Sequence, residues 1–254
     1  MITILSPAKN LDFKPQQVTS RFTLPDYQDE SEKLVERVRK LSRKQMSELM
    51  EINARLTNLN YERFRLWNKD FTPQNAKQAI LAFNGDVYTG LAAKTLRQRD
   101  LDFAQDNLLI LSGLHGMLRP LDLVQPYRLE MGIGLKLGRA NSLVAFWQPK
   151  ITEALNKMLK KHKQKTIINL ASNEYSQCID RSSLDAEWIT PTFREMKGDG
   201  YRVFFVFLKR ARGMMARFII ENRITRPEDI KGFDLGGYFY NEPLSTADEW
   251  VFAR

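Results

Sequence analysis

Short runs rich in Ile, Val, Leu and Phe recur along this chain, and longer amphipathic segments separate them. Runs of this length and composition are typical of buried strands, whereas apolar residues that recur with a period of 3.6 indicate helices. The alternation predicts an α/β fold with a mixed β-sheet flanked by helices. The predicted strands are Ile2–Leu5, Ala79–Phe83, Leu108–Leu111, Thr166–Leu170, Glu187–Phe193 and Arg202–Leu208. The last two can form a hairpin through the Lys197–Gly200 turn signal.

The predicted helices are Ser31–Leu41, Met46–Arg65, Gln148–Lys161 and Ala211–Asn222. We expect a single domain over residues 1–254, in which residues 20–77 form an N-terminal helical lobe. Within this lobe, Leu41–Asn60 can form two helices joined by a tight turn near Asn53. A helix-hairpin-helix motif binds the DNA backbone through hairpin N–H groups and usually has glycines there. This stretch has none, so its local pattern favours a plain helix pair.

Composition limits the classes of protein to which the chain can belong. No stretch of about 18 apolar residues is present, so we expect no membrane-spanning helix. Cys178 is the only cysteine, which rules out an intramolecular disulfide and suits a reducing cytoplasm. Lys and Arg number 39 against 30 acidic residues. This excess favours a polyanionic partner such as nucleic acid, although a generally basic surface explains the total charge equally well.

Polar residues follow most of the predicted strands. Ligands of open α/β sheets bind beyond the carboxyl ends of the strands, so these residues predict a strand-end cleft for an anionic small molecule. No P-loop or Rossmann fingerprint is present. Segment 112–134 either covers the cleft or is a packed connection in which Asp122 and Arg128 make structural ion pairs. The candidate pocket residues are Ser6, Lys9, Asp86, Ser112, Tyr127, Arg128, Asn169, Ser172 and Glu174.

Lys9 is the residue on which this cleft hypothesis depends most. Pro7 fixes φ and lacks an N–H donor, so the first strand must end there. We expect the following turn to present Ser6 and Lys9 to the cleft, with Lys9 in reach of an anion or of Glu174. The alternative is that Lys9 is a solvated loop lysine and that Ser6 caps a turn.

A second candidate surface is the basic segment 209–226, in which Glu221 is the only acidic residue. The planar guanidinium of arginine suits phosphate. A solvated basic face explains the pattern adequately, and a phosphate-facing surface explains it better because so few acids offset the arginines. The candidate DNA contacts are Lys209, Arg210, Arg212, Arg217 and Arg223, and we expect Arg212 and Arg217 to face solvent.

The sequence offers few residues for metal or nucleophilic chemistry. His115 and His162 are the only histidines, and with one cysteine they are too few for a His/Cys zinc site. No GxSxG elbow is present. We therefore predict no metal site and no cofactor, although a carboxylate-only site stays open, and the catalytic residues of any reaction are unknown.

Several stretches, taken together and in order, resemble the YaaA family of bacterial peroxide-stress proteins. They are SPAKNLDF, ILAFNGDVYTGL, ILSGLHGMLRPLDLVQPYRLEMG, INLASNEY, KRARGMMARFIIENRI and GYFYNE. The family usually has tyrosine in place of His115 and lysine in place of Gln177. The resemblance implies an unusual α/β fold with a helix-hairpin-helix-like element, which Leu41–Asn60 would match.

The same resemblance implies a cytosolic protein that protects cells from hydrogen peroxide by keeping unincorporated iron low. It also implies binding to double-stranded DNA through a positively charged cleft. A competing hypothesis is an enzyme that acts on a nucleotide, a nucleic-acid base or another phosphorylated ligand in the strand-end cleft. A DNA-binding protein needs cations alone, whereas an enzyme also needs acids, amides and hydroxyls in one place. Direct iron storage ranks last, because the sequence offers no ligand set.

Overall fold

The structure is a computed structural model that describes residues 1–254. Its strands are β1 (Ile2–Leu5), β2 (Asn10–Leu11), β3 (Lys77–Gln78), β4 (Phe83–Asn84), β5 (Leu108–Ser112), β6 (Gly116–Leu118), β7 (Leu123–Val124), β8 (Thr166–Leu170), β9 (Glu187–Lys197), β10 (Gly200–Arg202), β11 (Phe239–Tyr240) and β12 (Glu249–Ala253). Its α-helices are α1 (Gln28–Arg39), α2 (Arg43–Met50), α3 (Ala54–Leu66), α4 (Ala79–Ala82), α5 (Asp86–Leu91), α6 (Gln98–Asn107), α7 (Leu143–Leu159), α8 (Asn173–Ser176) and α9 (Phe205–Glu221). Short 3₁₀ turns complete the chain at Ala93–Thr95, Arg181–Ser183, Pro227–Gly232, Leu235–Gly237 and Glu242–Leu244.

The main sheet has the strand order β11-β12-β9-β8-β1-β5-β6, with β10 paired to β9. β1 lies between β8 and β5 and is parallel to both, with Ile4 opposite Asn169 on one side and Leu109 on the other. All four residues of β1 are buried, as expected for a parallel strand that is covered on both faces. The edge strands β6 and β11 are antiparallel to their neighbours. The prediction of a mixed α/β sheet is therefore confirmed.

Two of the predicted strands are wrong. Residues 79–82 form the single helical turn α4, whose first N–H groups bond to the carbonyls of Asp122 and Pro120. A short run that is buried on all sides has no periodicity to separate a helix from a strand. The predicted strand at 202–208 is also wrong, because α9 already begins at Phe205. The predicted turn at Lys197–Gly200 is correct, with Gly198 in the left-handed region at φ +61°, but the second strand of the hairpin is Gly200–Arg202 instead of Arg202–Leu208.

The expected helix pair in the N-terminal lobe is present as α2 and α3. The side chain of Asn53 accepts the N–H of Leu56 at 3.0 Å and so caps α3. Glu51 takes the left-handed conformation at the end of α2, with φ 50°, although it is not glycine. The hydrophobic core is continuous from Ile4 in the sheet to Leu34 and Phe64 in the lobe. No helix of the structure combines the length and the apolar character that crossing a membrane requires.

Candidate functional site

A cleft of about 380 Å³ opens at the carboxyl edge of the central strands. Its walls come from the segments that follow β1 and β8, from the start of α5 and from one face of α9. The parallel alignment of β1 and β8 brings the first two segments to the same edge. Of the residues that the sequence singles out, the cleft is lined by Ser6, Lys9, Asp86, Ser172, Glu174, Lys209 and Arg212.

Ser6 joins two walls of this cleft. Its Oγ accepts the backbone N–H of Ser172 at 2.8 Å and lies 3.2 Å from the Oγ of the same residue. The hydroxyl of Tyr88, at the end of a side chain buried beside the cleft, donates to the carbonyl of Ser6 at 3.0 Å. Ser6 therefore holds the ends of β1 and β8 together, and its hydroxyl is already engaged in hydrogen bonds.

Lys9 stands at the rim of the cleft and contacts a buried carboxylate. Its Nζ lies 3.5 Å from Oε1 of Glu130, and its side chain is 63% exposed. The carboxylate beside Lys9 is thus Glu130, whereas the sequence pointed to Glu174. Arg128 Nη2 binds the same Oε1 at 2.8 Å, and Oε2 of Glu130 is buried without a partner. Arg128 therefore serves an ion pair behind the cleft and does not line it.

Three of the candidate pocket residues lie under the cleft floor instead of lining it. Ser112, Tyr127 and Asn169 are buried, with the Ser112 Oγ 2.7 Å from the Tyr127 hydroxyl. Asn169 uses its Oδ1 to accept the N–H of Ala171 at 3.0 Å, which shapes the turn after β8. The expectation that these residues share the cleft with Ser6 is wrong, because their side chains point into the core and are used there.

His115 belongs to this buried layer as well. Its backbone N–H donates to Ser112 Oγ at 2.9 Å, and its Nδ1 lies 3.0 Å from Ser31 Oγ in α1. Complete burial lowers the pKa of His115 to about 3, because the charged ring would lose its hydration. A neutral His115 thus connects the helical lobe to the sheet.

Gly90 and Gly213 set the position of α9 against α5. A Cβ atom on Gly213 would lie 1.8 Å from the carbonyl oxygen of Val87, and one on Gly90 would lie 2.1 Å from that of Arg210. The two helices therefore cross with their backbones in contact. This crossing brings Asp86, at the start of α5, to the same cleft that Lys209 and Arg212 line. The available signal was Gly213 inside the predicted helix Ala211–Asn222, because a glycine within a helical pattern often marks a close approach.

The basic residues of α9 do not form one phosphate-facing surface. Arg212 is mostly buried in the cleft wall, where burial lowers its pKa and leaves its Nε without a partner. Arg217 donates to the carbonyls of Leu91 and Ala92 at 3.1 and 3.0 Å and binds Glu221 at 2.7 Å. The expectation that both arginines face solvent is therefore wrong.

The remaining basic candidates divide into paired and unpaired residues. Arg223 lies 3.3 Å from Asp100, a buried carboxylate that Arg97 also binds. Lys209 and Arg210 are exposed and make no ion pair or side-chain hydrogen bond. They are the members of the predicted DNA-binding set that are free to contact phosphate at the surface.

The family model described as peroxide stress protein YaaA matches residues 1–244. The chain belongs to the YaaA family of peroxide stress proteins. The match includes every residue that lines the cleft and all strands of the main sheet except β12. The resemblance stated from the sequence motifs is thereby confirmed, and so is the link to peroxide stress.

The cleft of this YaaA-family protein combines cations with carboxylates. Lys9, Lys209 and Arg212 can hold an anion, while Asp86 and Glu174 can accept protons or orient a ligand. Neither histidine lines the cleft, and no group of three or more His, Cys, Asp or Glu side chains is placed to hold a metal ion. The arrangement thus offers anion binding first, with carboxylates as the available acid or base groups.

Proposed function

We propose that this YaaA-family protein is a cytosolic stress protein that binds double-stranded DNA and limits unincorporated iron in cells exposed to peroxide. The observation that carries the DNA part is the unpaired, exposed state of Lys209 and Arg210 on α9. Lys209 lines the cleft together with Lys9 and Arg212, and Arg210 lies on the neighbouring face of the helix beside Phe207. Lys and Arg contacts to phosphate supply most of the affinity in binding of this kind.

The helix pair α2–α3 is the proposed second contact with DNA. Its turn has no glycine, but Lys44 and Arg55 are exposed and make no ion pair. Arg43, by contrast, is held at 2.8 Å by Glu62. A duplex that touches both surfaces would receive phosphate contacts from two parts of the chain, which suits binding with little sequence preference.

The DNA part can be tested by fluorescence anisotropy with a labelled duplex over a range of salt concentrations. With roughly four to six phosphates contacted, log affinity should fall with log salt at a slope of roughly −4 to −5. Arg210→Ala should weaken binding and make the slope shallower by about one. Lys161→Ala, at an exposed lysine beyond α7, is the matched control. Binding that ignores salt, or no binding at low salt, contradicts the proposal.

The iron part assigns the protein an indirect effect on iron, because no group of three or more His, Cys, Asp or Glu side chains is placed to hold a metal ion. Cells that lack the protein should contain more iron detectable by electron paramagnetic resonance after peroxide treatment than cells that express it. The double variant Lys209→Ala and Arg210→Ala separates the two parts. Iron that stays low with this variant would show that DNA binding is not the cause.

The second candidate function is an enzyme that acts on a nucleotide, a base or another phosphorylated ligand in the cleft. The observation that favours it is the buried Nε of Arg212, which has no partner. A buried, unpaired charged group is unfavourable, and a bound anion would satisfy it. Inorganic phosphate should therefore raise the Tm of the protein and have little effect on Arg212→Gln. Equal behaviour of the two proteins would refute an anion site at Arg212.

A further inference from the structure

The first turn of α9 exposes large apolar side chains to solvent. Phe205 is 75% exposed and Val206 is 65% exposed, and exposed apolar patches of this kind mark interaction sites. The neighbouring rings have partners: Lys197 lies over Phe204 at 5.4 Å and Arg254 lies over Phe207 at 5.2 Å. Phe205 has no aromatic or cationic partner, so one face of its ring is available to a ligand.

Phe205 lies on the face of α9 that lines the cleft. Residues at i, i+4 and i+7 of a helix share one face, and Phe205, Lys209 and Arg212 have this spacing. Lys209 and Arg212 line the cleft, so Phe205 stands at its rim one turn further out, about 6 Å along the helix axis. The contact between Gly213 and Val87 fixes this face relative to α5.

We propose that the ligand class of the cleft is a nucleotide whose base stacks on Phe205 and whose phosphate lies between Lys209, Arg212 and Lys9. The sugar of the nucleotide would span the distance between the base on Phe205 and the phosphate at the cations. This inference rests on the second candidate function, an anionic ligand in the cleft. Its new content is the aromatic part of the ligand and the residue that recognises it. Base–aromatic stacking tolerates any base, because every base has a π-face.

The charge around the patch favours this occupant over a second copy of the chain. Residues 196–212 contain five basic residues and a single acid, Asp199. A second copy would bring the same positive charge to the same patch, which opposes association. A nucleotide brings the negative charge that the basic residues attract. It also brings a flat base that can cover the exposed ring of Phe205. The nucleotide can be free in solution or a unit of a single-stranded nucleic acid, because both present the same base and phosphate.

The test compares ligands with and without a base. Adenosine monophosphate, ribose 5-phosphate and a short single-stranded oligonucleotide are titrated by calorimetry into the wild-type protein and three variants. Phe205→Ala should lose about tenfold in affinity for the ligands that carry a base and keep its affinity for ribose 5-phosphate. Phe207→Ala is the matched control, because Phe207 lies on another face of α9 beside Gly236 and Tyr238. Lys209→Ala should weaken all three ligands.

Each outcome decides the proposal. Tight binding of adenosine monophosphate identifies a free nucleotide as the source, and binding of the oligonucleotide alone identifies a nucleic-acid strand. The proposal is overturned if Phe205→Ala behaves like Phe207→Ala, if the base adds no affinity, or if Phe205→Ala only converts a dimer to a monomer. Duplex binding, measured on the same preparations, reports separately on the proposed DNA function, so the two can fail independently.

Discussion

The Oγ of Ser6 accepts the backbone N–H of Ser172 at 2.8 Å, across 166 residues of sequence. This bond fixes the distance between the turns that follow β1 and β8, and both turns are walls of the cleft. The N–H of Ser172 would otherwise face a partly buried position without an acceptor. The hydrogen bond therefore supports the shape of the site as well as the fold.

Replacing Ser6 with alanine should destabilise the protein by about 1–3 kcal/mol, because the N–H of Ser172 would lose its acceptor. Ser172→Ala removes only the Oγ contact at 3.2 Å and should cost less. The free energy of unfolding in urea, compared between the two variants, checks this. Equal losses would show that the backbone bond contributes little.

Gly213→Ala should destabilise the protein strongly, because its Cβ would lie 1.8 Å from the carbonyl oxygen of Val87. Overpacking of this kind typically costs about 1–3 kcal/mol or more. Gly232→Ala is the control, since no atom lies within 4 Å of a Cβ placed there. Thermal unfolding of both variants is the measurement. A Gly213→Ala protein as stable as the wild type would contradict the backbone contact between α5 and α9.

Alanine substitutions of Arg217 and Arg210 should have different effects, the first on stability and the second on DNA binding. Arg217→Ala removes the donor that binds the carbonyls of Leu91 and Ala92 and breaks the ion pair with Glu221, so it should lower the free energy of unfolding by about 1–3 kcal/mol. Arg210→Ala removes an exposed, unpaired side chain and should change stability by less than about 0.5 kcal/mol while it weakens duplex binding. Urea unfolding measures the stability of both variants, and fluorescence anisotropy measures their affinity for duplex DNA. If Arg217→Ala instead weakened duplex binding and left stability unchanged, Arg217 would belong to the DNA-binding surface.

His115 should make the fold sensitive to mild acid. Its pKa is about 3 in the folded protein and about 6.5 when the chain unfolds, so the unfolded state binds the proton more readily. The stability that neutral His115 confers is complete above pH 6.5 and is lost as the pH falls from there toward 3. The loss amounts to about 2 kcal/mol between pH 7 and pH 5.

The measurement for His115 is urea unfolding at pH 7 and pH 5. His115→Gln keeps a polar side chain that does not titrate, so its stability should change less over this range than that of the wild type. Identical pH dependence in the two proteins would mean that other groups cause the acid sensitivity.

Lys9→Ala should abolish peroxide protection in cells, while the protein stays folded and duplex binding falls only slightly. The reason is that Lys9 stands at the rim of the cleft beside Glu130 and supplies one of its three cations. Lys14→Ala changes an exposed lysine of the same segment and should protect like the wild type. Survival after a peroxide pulse is the readout. Full protection by Lys9→Ala would remove this lysine from the function.

β1 and β8, which are buried on both faces, are among the strands that sequence patterns identify correctly. A continuous apolar run is the direct consequence of such burial. The segment that begins at Phe205 is different, because its apolar side chains are exposed and its β-propensity is overridden by the helix. Local preference therefore indicated a strand where long-range packing against α5 stabilises a helix.

The same contrast between local sequence pattern and long-range packing applies to the residues of the candidate site. Residues that follow a strand, such as Ser6 and Ser172, meet because parallel strands end at one edge, and sequence alone indicates this. Ser112 and Asn169 still belong to their strands, where the pleat decides which side a side chain faces. The role of Arg217 depends on where α5 ends, which no local pattern around 217 records. Tertiary contact, not residue type, separates the cleft-lining residues from the structural ones.

The central position of β1 has a consequence for the synthesis of the protein. β1 is made first, but its two neighbours are made only when the ribosome reaches residues 108–112 and 166–170. At roughly 5–20 residues per second, β1 remains without its second partner for on the order of ten seconds. A chain interrupted before Ser172 lacks one wall of the cleft. Unfinished chains therefore cannot form the complete cleft.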